Sequence, residues 1–463
     1  MKKIFALLIF AILLSFSIST FAQSYGDAAL KRVSAQDETS RTDKGDIPLL
    51  SVQEHVYRGD VYMANRHFPE ARFHWEKIIE NYSDNDAAMA KALFGMGRSF
   101  MWEREYQKAV DWFEKLTKDY LNTKDGREGL AFKGASYVRL GKNIEAAKTY
   151  EQYTVMFPTG ERIETSHLNI IDAYREAKKY DEANVWVEKT RAKFGNSPVT
   201  TNALQARLRM EIHRQNWNGA IAAADDTLDL NRFAGSMTSA DEIKYLKAFA
   251  LEKAGKKLEA ISVYNSIPDS FTSYYGGLAN ERLDILQPNN FKKTAIVNAR
   301  MMREYPVMYR AELLRFGKMR KVDPRFMLAI MKQESSFRAN AKSPSAARGL
   351  LQLVFDTALK YNKKAGYPNL EPDDLYNPTV NIAIGSLYMA ELKDQFDGVY
   401  EAIAASYNGG EDNAARWMER SKPKEPAIFA SEVGFAETKH YVFKVMNNYR
   451  VYRELYTEDL QRK

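Results

Sequence analysis

Between residues 50 and 290 the apolar positions recur at the three- and four-residue spacing of amphipathic helices, and the helices come in pairs. Six segments share one landmark: FPEARFHWEKI (68–78), YQKAVDWFEKL (106–116), IEAAKTYEQY (144–153), YDEANVWVEK (180–189), WNGAIAAADD (217–226) and LEAISVYNSI (258–267). They align on Ala71, Ala109, Ala147, Ala183, Ala220 and Ala260, at intervals of 38, 38, 36, 37 and 40 residues. A small residue suits a close approach of two helices, and a larger apolar residue follows it on the same face. Second helices such as Ala87–Met101 and Gly129–Leu140 fall between these segments. Turn signals such as Leu140-Gly141-Lys142, Phe157-Pro158 and Phe194-Gly195 punctuate them. The pattern predicts a stack of helical hairpins, each burying its face only against its neighbours.

Beyond about residue 305 the repeat stops. Asp323 and Pro324 make a helix start, a side-chain cap followed by the residue best suited to the first helical position. Met327, Ile330, Met331 and Glu334 then share one face. A carboxyl group at the end of an apolar stripe is costly to ionise, so desolvation there raises its pKa toward what a general acid needs. On this fragment alone an outward-fraying Glu334 is equally compatible. Residues 343–358 read as a turn followed by an apolar helix carrying one amide, Gln352, which needs a partner from the protein or a ligand. Ala404–Gly410 ends an apolar helix in a glycine turn that presents Tyr407 and Asn408. Glu437–Val442 opens an aromatic helix with an acid in its first turn.

Composition narrows the setting. The chain has 463 residues, 45% apolar and 27% charged, enough for two or three packing units. Residues 1–22 read as a secretory signal: Lys2 and Lys3, an apolar run from Ile4 to Ile18, then small residues at Thr20-Phe21-Ala22. Residues 23–46 are polar and read as a flexible leader. No later stretch is apolar enough for a membrane span, so none is expected after signal cleavage. With no cysteine, disulfides, thiolate metal sites and a cysteine nucleophile are excluded. The net charge of +7 includes the two lysines of the signal segment, and without a long Lys/Arg block no nucleic-acid partner is expected. Among the scattered histidines, His67 and His74 are seven apart and could share a helix face, but no acid stands at ligand spacing. Neither a metal nor a cofactor is expected. Five of six tryptophans (Trp75, Trp102, Trp112, Trp186, Trp217) lie in the repeats, where helical spacing favours core packing over sugar stacking.

The repeats resemble tetratricopeptide repeats, slightly long and degenerate. Further on, Gln333-Glu334-Ser335 with Phe337, Gly349-Leu350 with Gln352, Tyr407-Asn408, and Glu437-Thr438 with Tyr441-Val442 occur in one order. Leu375-Tyr376-Asn377-Pro378 and Asn381-Ile382 with Gly385 and Tyr388 stand between them. This series resembles the soluble lytic transglycosylase domain over roughly 305–455. The resemblance implies an all-α protein: signal 1–22, leader 23–46, a tetratricopeptide-like superhelix over 47–304, and a lysozyme-like catalytic domain over 305–463. It implies cleavage of the β-1,4 bond from N-acetylmuramic acid to N-acetylglucosamine without water, giving 1,6-anhydro ends, with Glu334 as single acid and base. Ser343 and Gln352 would position the acetamido group and sugar, Tyr407 would stabilise developing charge, Asn408 would shape the cleft, and Glu437 would contact sugar or brace the site. The partner is then peptidoglycan, in the periplasm, and the repeats offer a surface to an envelope protein. The chain departs from the family at Val354-Phe355 (usually Met-Pro), Leu351 (Met), Ala346 (Gly), Ser406 and Gly409 (Ala), which bears on subsite preference. Two other readings stand beside this one. A muramidase-type hydrolase would need a second carboxylate from Asp356, Glu371, Asp373 or Asp374. A non-catalytic peptidoglycan-binding scaffold would not need Glu334.

Overall fold

Short helices make up most of the described residues. The computed structural model describes residues 25–43, 45–288 and 303–463, so the signal segment lies outside the described residues. Twenty-two α-helices and no β-strand are found among them. The first fourteen are α1 (Asp27–Ser40), α2 (Val52–Ala64), α3 (Phe68–Asn81), α4 (Asp86–Trp102), α5 (Tyr106–Asp119), α6 (Lys124–Arg139), α7 (Asn143–Met156), α8 (Ile163–Glu176), α9 (Tyr180–Phe194), α10 (Pro198–His213), α11 (Trp217–Leu230), α12 (Ala240–Lys253), α13 (Lys257–Asn265) and α14 (Tyr274–Leu286). Then follow α15 (Arg310–Arg320), α16 (Pro324–Glu334), α17 (Phe355–Ala365), α18 (Pro378–Gln395), α19 (Tyr400–Gly409), α20 (Glu411–Arg420), α21 (Pro426–Glu432) and α22 (Ala436–Leu455). Two compact units are present: the described residues up to Ser166 with Pro344–Ala346, and His167–Ser343 with Ala347–Lys463.

The six landmark alanines are all fully buried, as the repeat pattern predicts. A second regularity was hidden from sequence. Arg66, Arg104, Gly141, Lys178, Gln215 and Gly255 stand at corresponding hairpin turns, and all have positive φ. Only two of the six are the glycines that this conformation favours. Close packing is visible around Trp75: a Cβ on Gly59 or Gly95 would come within 2.6 or 2.5 Å of its indole. Trp75 and Trp186 are core residues, whereas Trp102 ends α4, is 55% exposed and lies beside the Arg66 guanidinium, outside the core expected for it.

The polar leader is not without structure. Residues 27–40 form α1, whose Ala29, Val33 and Asp37 recur every fourth position and are buried. Asp37 explains the helix. It accepts from Tyr62 Oη (2.7 Å) and His74 Nε2 (3.0 Å) and pairs with Arg58. Because the Leu50 amide donates to His55 Nε2, His55 donates through Nδ1 to His74 Nδ1 at 3.0 Å, which leaves the His74 Nε2 proton for Asp37. Burial opposes ionisation of Asp37, but hydrogen bonds from His74 and Tyr62 outweigh it and bring its carboxyl down to about 2. His74 therefore does not share a helix face with His67, which is exposed just before α3; its acidic partner comes from 37 residues away.

In the second unit, the later repeat helices and α15–α22 are joined through buried charges. Glu432 on α21 accepts from Arg175 (2.6 Å) and Arg209 (3.0 Å) and pairs with the Arg420 guanidinium 3.2 Å away. Burial would raise its pKa, but the Arg175 and Arg209 guanidiniums hold it below the usual carboxylate range. Arg416 and Arg420 reach Glu176 at 2.7 and 3.2 Å, and Tyr274 donates to the buried Glu401 at 3.1 Å. These pairs bring charges from the repeat helices α8 and α10 onto α20 and α21, the elements immediately before α22.

Candidate active site

Helix α16 starts as its sequence requires: Asp323 accepts from the Arg325 amide at 2.8 Å, and Pro324 is the first helical residue. Its residues from Phe326 to Met331 are buried, and Glu334 is the last helical position. The chain then leaves through Ser336 and Phe337, both at positive φ, a conformation that tertiary contacts must hold. One such contact is Ser335, whose buried hydroxyl donates to the Leu350 carbonyl at 2.8 Å.

Leu350 belongs to a segment expected to be helical, which is not. Residues 341–353 fold back on themselves: Arg348 and Leu353 exchange backbone hydrogen bonds of 3.0 Å, and α17 begins only at Phe355. The buried Asn381 on α18 replaces the missing helical bonds. It accepts from the Leu351 amide (2.9 Å) and donates to the carbonyls of Arg348 (3.0 Å) and Leu375 (2.8 Å). Gly349 must be glycine here. Its φ is +78°, and a Cβ would stand 2.1 Å from the Leu375 carbonyl oxygen. Gln352, expected on a helix, instead sits in this turn at φ +46° and donates to the Gly349 (2.8 Å) and Ala341 (3.0 Å) carbonyls. Ser343 closes the same segment by accepting from the Ala347 amide at 3.1 Å.

Helices α19 and α22 complete the surroundings of Glu334. Tyr441 donates to Glu334 Oε1 at 2.5 Å. The Tyr407 ring lies tilted against that of Tyr388, their centroids 5.1 Å apart, and its buried hydroxyl has no hydrogen-bond partner among the described residues. Burial holds the Tyr407 phenol well above its ordinary value, and the charges of Tyr388 and Glu334 add to this. Gly385 leaves the space that Leu351 and the Tyr407 hydroxyl occupy, since a Cβ there would lie 2.4 Å from Leu351. Asn408 accepts from Thr438 at 2.7 Å. Glu437 is exposed in the first turn of α22 and takes no part in these contacts.

Burial pushes the Glu334 carboxyl up to about 7, against the opposing hydrogen bond from Tyr441. A carboxyl group poised there can hold a proton near neutral pH and release it to a substrate oxygen. Of the four acids weighed as second carboxylates, Asp356 is exposed in the first turn of α17, and Glu371 and Asp374 cap each other around a short 3-10 turn. Tyr441 is the contact that sequence reasoning left out: it stood in a quoted motif, but nothing local ties it to an acid 107 positions away.

Residues 314–429 match the family described as "Transglycosylase SLT domain", and residues 58–120 match a tetratricopeptide repeat. A soluble lytic murein transglycosylase of Salmonella typhimurium is 30% identical over 151 residues, 32% of this chain and 23% of that protein. A putative soluble lytic murein transglycosylase of Haemophilus influenzae is 34% identical over 122 residues, 26% of this chain and 21% of its own. The matched part thus spans under a quarter of either relative. Membrane-bound lytic murein transglycosylase C of Edwardsiella ictaluri is 29% identical over 191 residues, 37% of this chain and 50% of that protein. Among solved structures, the 70 kDa soluble lytic transglycosylase of Escherichia coli aligns with a TM-score of 0.50 at 17% identity, over 87% of this chain and 72% of that one, which is a likeness of fold. No helix among the described residues is long and apolar enough to cross a membrane. Residues 314–429 of this chain are thus similar to the transglycosylase SLT domain family, and a stretch similar to tetratricopeptide repeats precedes them.

Proposed function

We propose that the protein is a periplasmic lytic transglycosylase that cleaves the β-1,4 bond from N-acetylmuramic acid to N-acetylglucosamine in peptidoglycan, with Glu334 as its single acid and base. The observation that carries this reading is the Glu334 carboxyl itself, raised by burial to about 7 and held by Tyr441. The soluble lytic murein transglycosylases that share its C-terminal sequence support the substrate class.

In the reaction, protonated Glu334 gives its proton to the glycosidic oxygen as the C1–O bond breaks. The substrate's own 2-acetamido group supports the positive charge at C1, in place of the second carboxylate of ordinary glycosidases. Glu334, now ionised, takes the proton of the C6 hydroxyl as that oxygen bonds to C1. The acid returns to its starting state, no water is consumed, and a 1,6-anhydro end results. The unpartnered Tyr407 hydroxyl is suited to hydrogen-bond the sugar near the reacting centre, with Asn408 beside it. Ser343 and Gln352 serve through the 341–353 segment that they close, and Glu437 through the rim. The repeats over 47–304 and the catalytic domain over 305–463 are the proposed division of labour, the former offering a surface to an envelope protein.

Purified peptidoglycan sacculi, incubated with the protein or its Glu334→Gln variant, decide the matter by mass spectrometry of released fragments. Fragments one water lighter than hydrolytic products, absent with the variant, are expected. Reducing-end products would replace the transglycosylase by a muramidase-type hydrolase. Binding without release would leave a scaffold.

A further inference from the structure

Helix α22 presents two faces in its first two turns. Thr438 and Tyr441, three apart and so on one side, bond Asn408 and Glu334. Lys439, two residues before Tyr441, points the opposite way and is 2% exposed. Its ammonium lies 2.7 Å from Glu242 Oε1 on the repeat helix α12.

Glu242 is completely buried in the first turn of α12 and lies 197 positions before Lys439. Its Oε1 also accepts from the Gln205 amide of α10, while its Oε2 has no hydrogen-bond partner among the described residues. For stability alone this is a poor arrangement. Desolvating two charges is costly, a half-satisfied carboxylate more so, and apolar side chains of the same volume commonly do as well. What an ion pair adds is direction, since any slide or rotation of α22 separates two buried charges. The contact that such a movement would spoil is the 2.5 Å bond from Tyr441 to Glu334, and a helix shift of ~1 Å takes a hydrogen bond to its limit.

We propose that Lys439 and Glu242 are positioning residues for the acid: their buried pair, reaching from the repeat helices, sets α22 so that Tyr441 meets Glu334. This rests on the reading of Glu334 as the catalytic acid. The groups that face this arrangement are few. Tyr441 on α22 acts on Glu334, and the charge of Glu334 is felt by Tyr407 on α19, with Tyr388 of α18 beside it. Lys439 faces Glu242, with Arg209 of α10 and Glu432 of α21 farther off. Burial pulls the Lys439 ammonium below its ordinary value, and Glu242 opposes that pull.

The test follows the Glu334 carboxyl by carbon NMR of protein labelled at glutamate carboxyl carbons, its signal assigned by its loss in Glu334→Gln. The double variant Glu242→Gln/Lys439→Met removes both charges together, and Tyr441→Phe sets the scale. In the double variant the Glu334 midpoint is expected to rise by about half a pH unit or more, toward that of Tyr441→Phe, because a hydrogen bond to the charged form is lost. On sacculi the alkaline limb of kcat/KM moves with it. A folded double variant with an unchanged midpoint and only a lower melting temperature overturns the proposal. If the double variant does not fold, Glu242→Gln alone carries the test. Removing a negative charge would by Coulomb's law lower the midpoint, so a rise reports geometry, and no rise overturns the proposal. A wild-type protein that releases nothing from sacculi refutes the proposed function, whereas the midpoint is read on the protein alone and decides the positioning.

Discussion

The raised pKa of Glu334 has a thermodynamic cost that can be measured without substrate. In the unfolded chain its carboxyl titrates near 4.5, and in the fold near 7. The folded protein therefore binds this proton more tightly than the unfolded one. Below pH 4.5 both states hold it, and Glu334 takes nothing from stability. Between 4.5 and 7 the unfolded state releases it first, so stability falls as pH rises; above 7 both states are ionised and the loss is complete. At about 1.4 kcal/mol per pH unit the loss reaches roughly 3 kcal/mol. Glu334→Gln removes this group and keeps an acceptor for Tyr441, so the variant should match wild type at pH 4 and exceed it by roughly 3 kcal/mol at pH 8, several degrees of melting temperature. Scanning calorimetry of both proteins from pH 4 to 9 isolates Glu334, because every other titrating group cancels in the difference. A difference that stays flat over this range refutes the buried, raised acid and with it the mechanism built upon it.

Three other outcomes follow from contacts. Tyr441→Phe removes the hydrogen bond that opposes burial, so the alkaline limb of kcat/KM on sacculi should move to higher pH with little change in KM; an unmoved limb would mean that the contact has no part in setting the acid. Gly349→Ala combines a positive φ with a Cβ 2.1 Å from the Leu375 oxygen, and urea unfolding should show a loss of about 2–4 kcal/mol with activity falling as the Leu350–Ser335 contact shifts. Asp37→Ala leaves His74 buried without its acceptor and Arg58 with Glu54 as its remaining carboxylate, at a cost of about 3–5 kcal/mol, and hydrogen exchange should show α1 (Asp27–Ser40) losing its protection.

What could be read from sequence was what repeats or what is local. The landmark alanines announce themselves because each hairpin needs a small residue at the same crossing. Asp323-Pro324 announces a helix because cap and first turn are neighbours in the chain. Of the six corresponding hairpin turns, only Gly141 and Gly255 carry a glycine, and only the first was singled out from sequence; the other four adopt positive φ with Arg, Lys or Gln and leave no compositional mark. Helix α1 was hidden because one of its three buried residues is an aspartate, and its buried partners come from α2 and α3. Residues 343–358 read as a turn and then a helix because the stretch after the turn is apolar, but its conformation up to Leu353 is set by Asn381, some 30 positions on. At the site, the apolar stripe put Glu334 at the end of α16 but left its burial open, because what surrounds the carboxyl comes from α19 and α22. The contacts of Tyr441 and Lys439 were not legible, since their partners lie 107 and 197 positions away.

The three guanidiniums around Glu432 bear on how this protein could be cut. The matched family segment, residues 314–429, stops before Glu432 and α22, and so before Tyr441. A fragment extended to the C-terminus would regain Tyr441 but lack Arg175, Arg209 and Glu242, baring Glu432 and Lys439 with most of their countercharge gone. The borders drawn by sequence likeness are therefore not places where the chain can be divided. Excision, grafting or exchange of the C-terminal domain has to carry the helices from α8 to α12 with it.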